Sequence, residues 1–142
     1  MHVTTHVIGT SDCDALGHMN VARYFALCNE NGFSMQRSLG WAPGQANKGR
    51  RYSFAVVRAT SDFLSEVHQG ETLEVATGIS DIGTKSATFV NMIARPDGTP
   101  VFRSDWKSAL LDLDSRKAVA IPDDLRSALL TFPVSEPAPG PG

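Results

Sequence analysis

Between positions 20 and 40 the chain carries a segment that is apolar almost all the way round a helix, and this limits the possible folds more than any other feature. Val21, Phe25, Cys28, Gly32, Met35 and Leu39 follow a 4,3,4,3,4 spacing, which puts them on one face of a 3.6-residue period. Ala22, Tyr24, Ala26 and Leu27 fill much of the remaining circumference of the first two turns. The spacing predicts a helix over residues 21–39 with that face buried. Its stop is marked by Gly40, with Pro43 and Gly44 beyond. A helix with so little polar surface must be wrapped by other structure.

The loop ahead of it holds the reactive side chains: Asp12, Cys13, Asp14 and His18, ending on Asn20. Asn20 sits at the N-cap, where its side-chain oxygen can accept from a following backbone N–H and leave the other first-turn donors pointing out of the helix end. Such donors suit an oxyanion. With Asp14 or His18 folded back over that end, the arrangement fits acyl transfer.

The rest of the chain alternates as strands do. Residues 2–9 read as a first strand, with Val3, Val7 and Ile8 among threonines and histidines and an end at Gly9. Residues 45–51 are a polar, basic surface loop. From Tyr52 the period becomes two, with Tyr52, Phe54 and Val56 on one side and Ala55, Val57 and Ala59 on the other. A strand apolar on both faces is expected in the centre of a sheet. Further strands follow over residues 72–82, 86–95 and 101–113, joined by turns at Asp81-Ile82-Gly83-Thr84 and Pro96-Asp97-Gly98. The last of these puts Phe102, Trp106 and Leu110 opposite Arg103, Asp105 and Lys107. Pro122 then opens a short helix over residues 125–130. The order is strand, long helix, four strands, short helix. Short connections make the sheet antiparallel, and strands of this length curve through their own twist. One curved sheet of about five strands around one helix is the α+β solution.

The length of 142 residues fits one domain, expected over residues 1–132, followed by a Pro/Gly-rich tail, 133–142, expected to be disordered. With 13 Lys+Arg against 15 Asp+Glu and no basic run interleaved with aromatics, no nucleic-acid surface is expected. No leader-like start and no apolar run of membrane-spanning length is visible, so a cytoplasmic protein without membrane insertion is expected. Cys13 and Cys28 suggest neither a disulfide framework nor a zinc knuckle. Asp12, Asp14, His18, His2 and His6 lack helical His spacing and an H-E-x-x-H motif, so no metal site is expected.

The order of elements and the loop together resemble the hot-dog fold, and within it the acyl-CoA thioesterases of the 4-hydroxybenzoyl-CoA thioesterase family. The likeness spans about residues 3–130. Its most specific part is Asp12-Cys13-Asp14-Ala15-Leu16-Gly17-His18-Met19-Asn20-Val21-Ala22-Arg23-Tyr24, similar to the family signature D-x-D-x-x-G-H-x-N-x-x-x-Y. The stretch 62–71 with its Gly70, the turn Gly83-Thr84-Lys85-Ser86 and the closing stretch 113–122 also match. The resemblance implies that Asp14 attacks the thioester or activates water, that His18 and Asn20 orient the acid, the water or the carbonyl, and that a backbone N–H between Gly17 and Val21 polarises the carbonyl. It implies no cofactor, coenzyme A being part of the substrate. It further implies a homodimer or homotetramer joined through the sheets, with active sites at the interface. Lys85, Ser86, Lys48, Arg50 and Arg51 become candidates for contacts to CoA. Two positions depart from other branches of the family: Val21 stands where they carry a histidine, and Asn29 where they often carry an acid.

Beside these readings stand plainer ones. Asp14 can simply hydrogen-bond its own loop, Asp12 is structural, and Tyr24 lines the core or an acyl pocket. Cys13 has the weak case of a thiol nucleophile without a base across the fold. The functional alternatives are a non-catalytic acyl-CoA or acyl-carrier binding module and a hot-dog hydratase, the latter lacking a visible second acid/base pair.

Overall fold

A computed structural model of the chain describes residues 1–41 and 49–135. The expectations for Pro43, Gly44, Lys48 and residues 136–142 lie outside the described residues. The elements are β1 (His2–Val7), a 3-10 turn (Thr10–Asp12), α1 (Val21–Ser38), β2 (Tyr52–Phe63), β3 (Thr72–Ile82), β4 (Ser86–Ala94), β5 (Pro100–Asp112), β6 (Lys117–Ala118) and α2 (Asp123–Leu129). The strands form one antiparallel sheet in the order β1-β3-β4-β5-β2, with the short β6 beside β5. This is the hot-dog arrangement, with α1 against one face of the sheet.

The core is the space between α1 and the sheet. Leu73 and Val75 of β3, Phe89 and Ile93 of β4, Phe102 and Leu110 of β5 and Leu27 and Met35 of α1 are all buried there, and α2 closes one end with Leu125 and Leu129. Full burial of each such side chain is worth about 1.5–3 kcal/mol. After α2 the chain crosses the sheet beside Gly78, where an added Cβ would sit 3.2 Å from the carbonyl oxygens of both Phe132 and Pro133. Pro133 forms a parallel bridge with Ile79 at this crossing.

The structure corrects two expectations and settles one orientation that the sequence left open. First, β2 is an edge strand, not a central one. Its two-faced apolar pattern leaves Val56 49% and Val57 62% exposed, Val57 lying within the register shift between Val56 and Arg58. Second, the buried face of α1 is rotated from the one that spacing alone selects: Tyr24, Leu27, Cys28, Asn31, Met35 and Gln36 are buried, while Val21 is exposed. The orientation is that of β1, which turns its apolar residues outward, with Val3 and Val7 exposed and His2, Thr4 and His6 half-buried toward α1.

One buried polar network accounts for the last two. Asn31, fully buried, donates through Nδ2 to the His2 carbonyl at 3.0 Å and to Thr77 Oγ1 at 2.8 Å, and its Oδ1 accepts from Thr4 Oγ1 at 2.7 Å. Thr77 Oγ1 in turn donates to Asn91 Oδ1 at 3.0 Å, and Asn91 Nδ2 donates to the Ser104 carbonyl at 3.3 Å. Ser104 Oγ lies 2.7 Å from Ser61 Oγ and accepts from Trp106 Nε1 at 2.6 Å. His2, Thr77, Asn91, Ser104 and Ser61 are successive register partners, so one polar row crosses all five long strands. A buried amide needs such partners, and finding them turns α1 and β1 away from the faces hydrophobicity alone would choose. Replacing Asn31→Ala should lower stability by about 2–4 kcal/mol, because it leaves a void and partners without hydrogen bonds. A urea melt followed by circular dichroism measures this, and a change below about 0.5 kcal/mol would show that the network does not hold the helix.

Candidate active site

The loop from residue 12 to residue 20 is tied down at both ends before it reaches α1. Cys13 and Met19 form an antiparallel bridge, the Asn20 N–H donates to the Asp12 carbonyl at 2.8 Å, and the Met19 N–H donates to the Val67 carbonyl at 2.7 Å. Inside the loop the Asp14 N–H donates to the His18 carbonyl at 2.9 Å and the Gly17 N–H to the Asp14 carbonyl at 3.1 Å. Gly17 takes φ 83°, a left-handed conformation that costs glycine little and other residues more. Asp12 braces the outside: its Oδ2 accepts from the Gly9 N–H at 2.8 Å and its Oδ1 pairs with Arg23 Nε at 2.8 Å. The expectation of a structural Asp12 agrees with these contacts.

Asp14 is exposed in the single chain, and its two oxygens are unequal. Oδ1 accepts from the Leu16 N–H at 2.8 Å and, more loosely, from the His18 N–H at 3.4 Å. Oδ2 has no hydrogen-bond partner among the described residues. Asn20 caps α1 as the sequence predicts, its Oδ1 accepting from the Ala22 N–H at 3.3 Å, while its carbonyl accepts from the Arg23 N–H at 2.9 Å. Of the backbone donors from Gly17 to Val21, those of Gly17, Met19 and Asn20 are engaged and that of His18 is loosely so. The Val21 N–H, at the positive end of an 18-residue helix, has no acceptor among the described residues. A free carboxylate oxygen and a free helix N–H thus flank the same loop.

Tyr24 is buried in an aromatic cluster, its ring 5.2 Å from Phe63 and 5.1 Å from Phe102, and burial raises its hydroxyl pKa. It acts as a wall. Along the adjoining side of α1, Phe25, Ala26 and Asn29 face Val56 and Trp106 across an open groove of about 390 Å³. A pit of about 30 Å³, reaching Cys28, Gly32 and Phe33, lies further in. Burial pushes the Cys28 thiol up to about 12, which keeps it protonated and inert; Cys13 and Cys28 are both free thiols.

The structure does not bring the expected CoA contacts to this loop within one chain. The Lys85 carbonyl accepts from the Leu110 N–H and the Arg51 carbonyl from the Leu113 N–H, whereas the loop's neighbour Leu64 donates to the Val101 carbonyl. From Val101 to Leu110 is about 30 Å of extended chain. Lys85, Ser86 and Arg51 therefore lie at the far end of the sheet. Arg50 is engaged there too, pairing with Asp124 at 3.0 Å and lying over the rings of Trp41 and Tyr52. Arg51 pairs with Asp114 at 2.9 Å.

Sequence reasoning missed the support behind the loop. Arg95 pairs with Glu71 at 2.7 Å, donates through Nη2 to the Glu66 carbonyl at 2.7 Å and through Nη1 to Ser65 Oγ at 3.0 Å. Glu71 Oε2 accepts from the His68 N–H at 2.8 Å. The Arg95 guanidinium and the His68 N–H hold the Glu71 carboxyl below its ordinary pKa. His18 forms an antiparallel bridge with His68, and its Nε2 lies 3.4 Å from Glu66 Oε2. The one sequence cue is the alternation Glu66-Val67-His68, which puts the two polar side chains on one side of an extended segment around buried Val67. His2 and His6 serve elsewhere, His2 Nε2 with Ser34 Oγ at 2.9 Å and His6 Nε2 with Thr4 Oγ1 at 2.9 Å.

A sheet curved over one helix, with a carboxylate loop at the helix entrance, defines a hot-dog protein. The chain belongs to the thioesterase-like superfamily, whose pattern it matches over residues 8–129. Its structure is similar to a 1,4-dihydroxy-2-naphthoyl-CoA thioesterase from Synechocystis, with a TM-score of 0.77, 18% identity and coverage of 91% of this chain and 95% of that one. It is also similar to the Staphylococcus aureus protein SAV2348 in complex with CoA (TM-score 0.82, 17% identity, 97% and 89% coverage). A predicted thioesterase from Bacillus stearothermophilus gives a TM-score of 0.82 with 21% identity and 95% and 98% coverage. At these identities the likeness is one of fold. No curated protein matches the sequence. No helix among the described residues is long and apolar enough to cross a membrane.

The Arg95–Glu71 pair should make loop support acid-sensitive. Because the folded pKa of Glu71 is depressed, its stabilisation is fully present above the ordinary carboxylate value and is lost as pH falls through the lower folded value. Glu71→Gln should cost about 1–2 kcal/mol at pH 7, with the gap to wild type closing below about pH 4. Thermal melts of both proteins across that range measure it; a gap that persists at acid pH would assign the stabilisation to packing.

Proposed function

We propose that the protein is an acyl-CoA thioesterase, hydrolysing an acyl-CoA to a free acid and CoA. The observation that carries this reading is at the entrance of α1: Asp14, with one oxygen anchored and the other free, stands on the loop that leads into the unengaged Val21 N–H. Asp14 Oδ2 takes a proton from water as the water oxygen attacks the thioester carbonyl carbon. The carbonyl oxygen, becoming negative, accepts from the Val21 N–H. Collapse of the tetrahedral adduct breaks the carbon–sulfur bond, and the departing CoA sulfur recovers the proton from Asp14. His18 and Asn20 position this apparatus, His18 by its backbone contacts to Asp14 and Asn20 by capping the helix that carries the oxyanion donor. The acyl group lies in the groove beside Phe25, Ala26 and Val56, with Tyr24 behind it.

The working unit in this proposal is a homodimer joined edge to edge through β2, the free sheet edge whose Val56 and Val57 are exposed. A two-fold axis through the middle of β2 makes the pairing antiparallel and sets the Tyr52 end of one copy beside the Phe63 end of the other. Arg51, Lys85 and Ser86 of the partner subunit then approach the Asp14 loop, where their positive charge and hydroxyl suit the phosphates of CoA. Covering the loop also removes water from around Asp14.

Asp14→Asn should lower turnover by about 10²–10⁴-fold, the span of a general base. The assay is a panel of short, long-chain and aromatic acyl-CoAs with released CoA read by a thiol reagent. Intact thioester that binds but is never cleaved by wild type would favour the binding module, and water added to a double bond the hydratase. Val57→Glu should convert a dimer into a monomer in light scattering and reduce turnover with it; an unchanged mass would move the interface away from β2.

A further inference from the structure

Beside the Asp14 loop, His18, Glu66 and His68 each offer one ligand atom, and these atoms lie within 4.8 Å of one another. His18 Nε2 is 3.4 Å and His68 Nε2 4.0 Å from Glu66 Oε2, and the two imidazole rings meet edge to face at 5.0 Å. We infer that His18, Glu66 and His68 form a binding site for one divalent transition-metal ion, zinc or a similar borderline ion.

The argument has three parts. The donor set is two imidazoles and a carboxylate, which suits zinc, cobalt, nickel or copper better than calcium or magnesium, whose sites are built of oxygens. The backbone beneath the donors is fixed independently of any ion. His18 and His68 face each other across an antiparallel bridge, and Val67 between the other two ligands is buried and accepts from the Met19 N–H. Arg95 holds the Glu66 carbonyl, and Glu71 holds the His68 N–H. The side-chain tips, by contrast, are free to adjust, being 34%, 69% and 58% exposed for His18, Glu66 and His68. Three donors on a tetrahedral ion with bonds of about 2.1 Å stand about 3.4 Å apart, so closure asks for movements on the order of 1 Å at the ring and carboxylate ends. A rigid base with mobile tips can supply that through χ rotation alone. Water completes the coordination shell, as in zinc sites with three protein ligands.

The test uses the full chain, stripped with chelator and titrated with Zn²⁺ in a calorimeter and with Co²⁺ in the visible absorption band of four-coordinate cobalt. One ion should bind per chain. His68→Ala should weaken binding at least tenfold, since it removes one of three ligands while keeping the backbone bond to Glu71, and Glu66→Gln should do the same without changing side-chain size. His6→Ala, remote from the cluster, should bind as wild type does. Equal affinity in wild type, His68→Ala and Glu66→Gln would overturn the assignment, as would loss of binding in His6→Ala or no binding of either ion to wild type. Thermal melts of each variant confirm that a loss of binding is not a loss of fold.

Discussion

The hydrogen bonds of Asn31 set where everything else lies. Apolar helix faces slide and rotate over apolar sheets at small cost, but an amide at 0% exposure that must reach His2, Thr4 and Thr77 has one position. Asn31 thereby fixes α1 both in rotation and along its axis, and β1 in the orientation that turns Val3 and Val7 outward. Ten residues back along the same rigid helix stands Val21, so its free N–H is placed by a hydrogen bond deep in the core. The polar row also ties all five long strands to one register, which a slip of one residue would break everywhere at once.

A second constraint works from the sheet end. The Arg95–Glu71 pair joins the end of β4 to the segment between β2 and β3, and that segment holds Met19 and faces His18. The loop carrying Asp14 is thus clamped from α1 on one side and from Arg95 on the other. Asp14 Oδ1 is engaged by the backbone of its own loop, which leaves Oδ2 free. The plain reading of Asp14 as a loop-forming residue and its proposed catalytic role use different oxygens of one carboxylate.

The sequence made legible what local spacing encodes. Helix α1, its Asn20 cap, the hairpin strands and the Asp14 loop depend on neighbours in the chain, and each lies where the pattern puts it. The misplacements come from neighbours distant in sequence. Rotation of α1 was hidden because Asn31 reads as polar and therefore outward, and its partners Thr4 and Thr77 are 27 and 46 residues away. The place of β2 was hidden because apolar residues on both faces are the mark of a central strand, and here they stand on an edge strand with Val56 and Val57 exposed. Arg95 and Glu71 gave no signal, since a single Arg and a single Glu, 24 residues apart, look like surface charge until the fold joins them.

That ambiguity in β2 bears on chemistry. An exposed strand of 12 residues with apolar side chains on both faces is a liability that folded proteins cover. In the single chain the same exposure extends to the N-terminal end of α1: Leu16 is 80% exposed, Val21 59% and Phe63 50%, and Asp14 is exposed as well. A carboxylate in open water is a weak base, and a single helix N–H in open water stabilises an oxyanion little, because solvent competes for both. Desolvation strengthens each. The apolar edge and the apolar rim of the site share the Phe63 end of β2, so one covering partner can bury both. In the proposed dimer, one contact covers both the open edge of the sheet and the open side of the site.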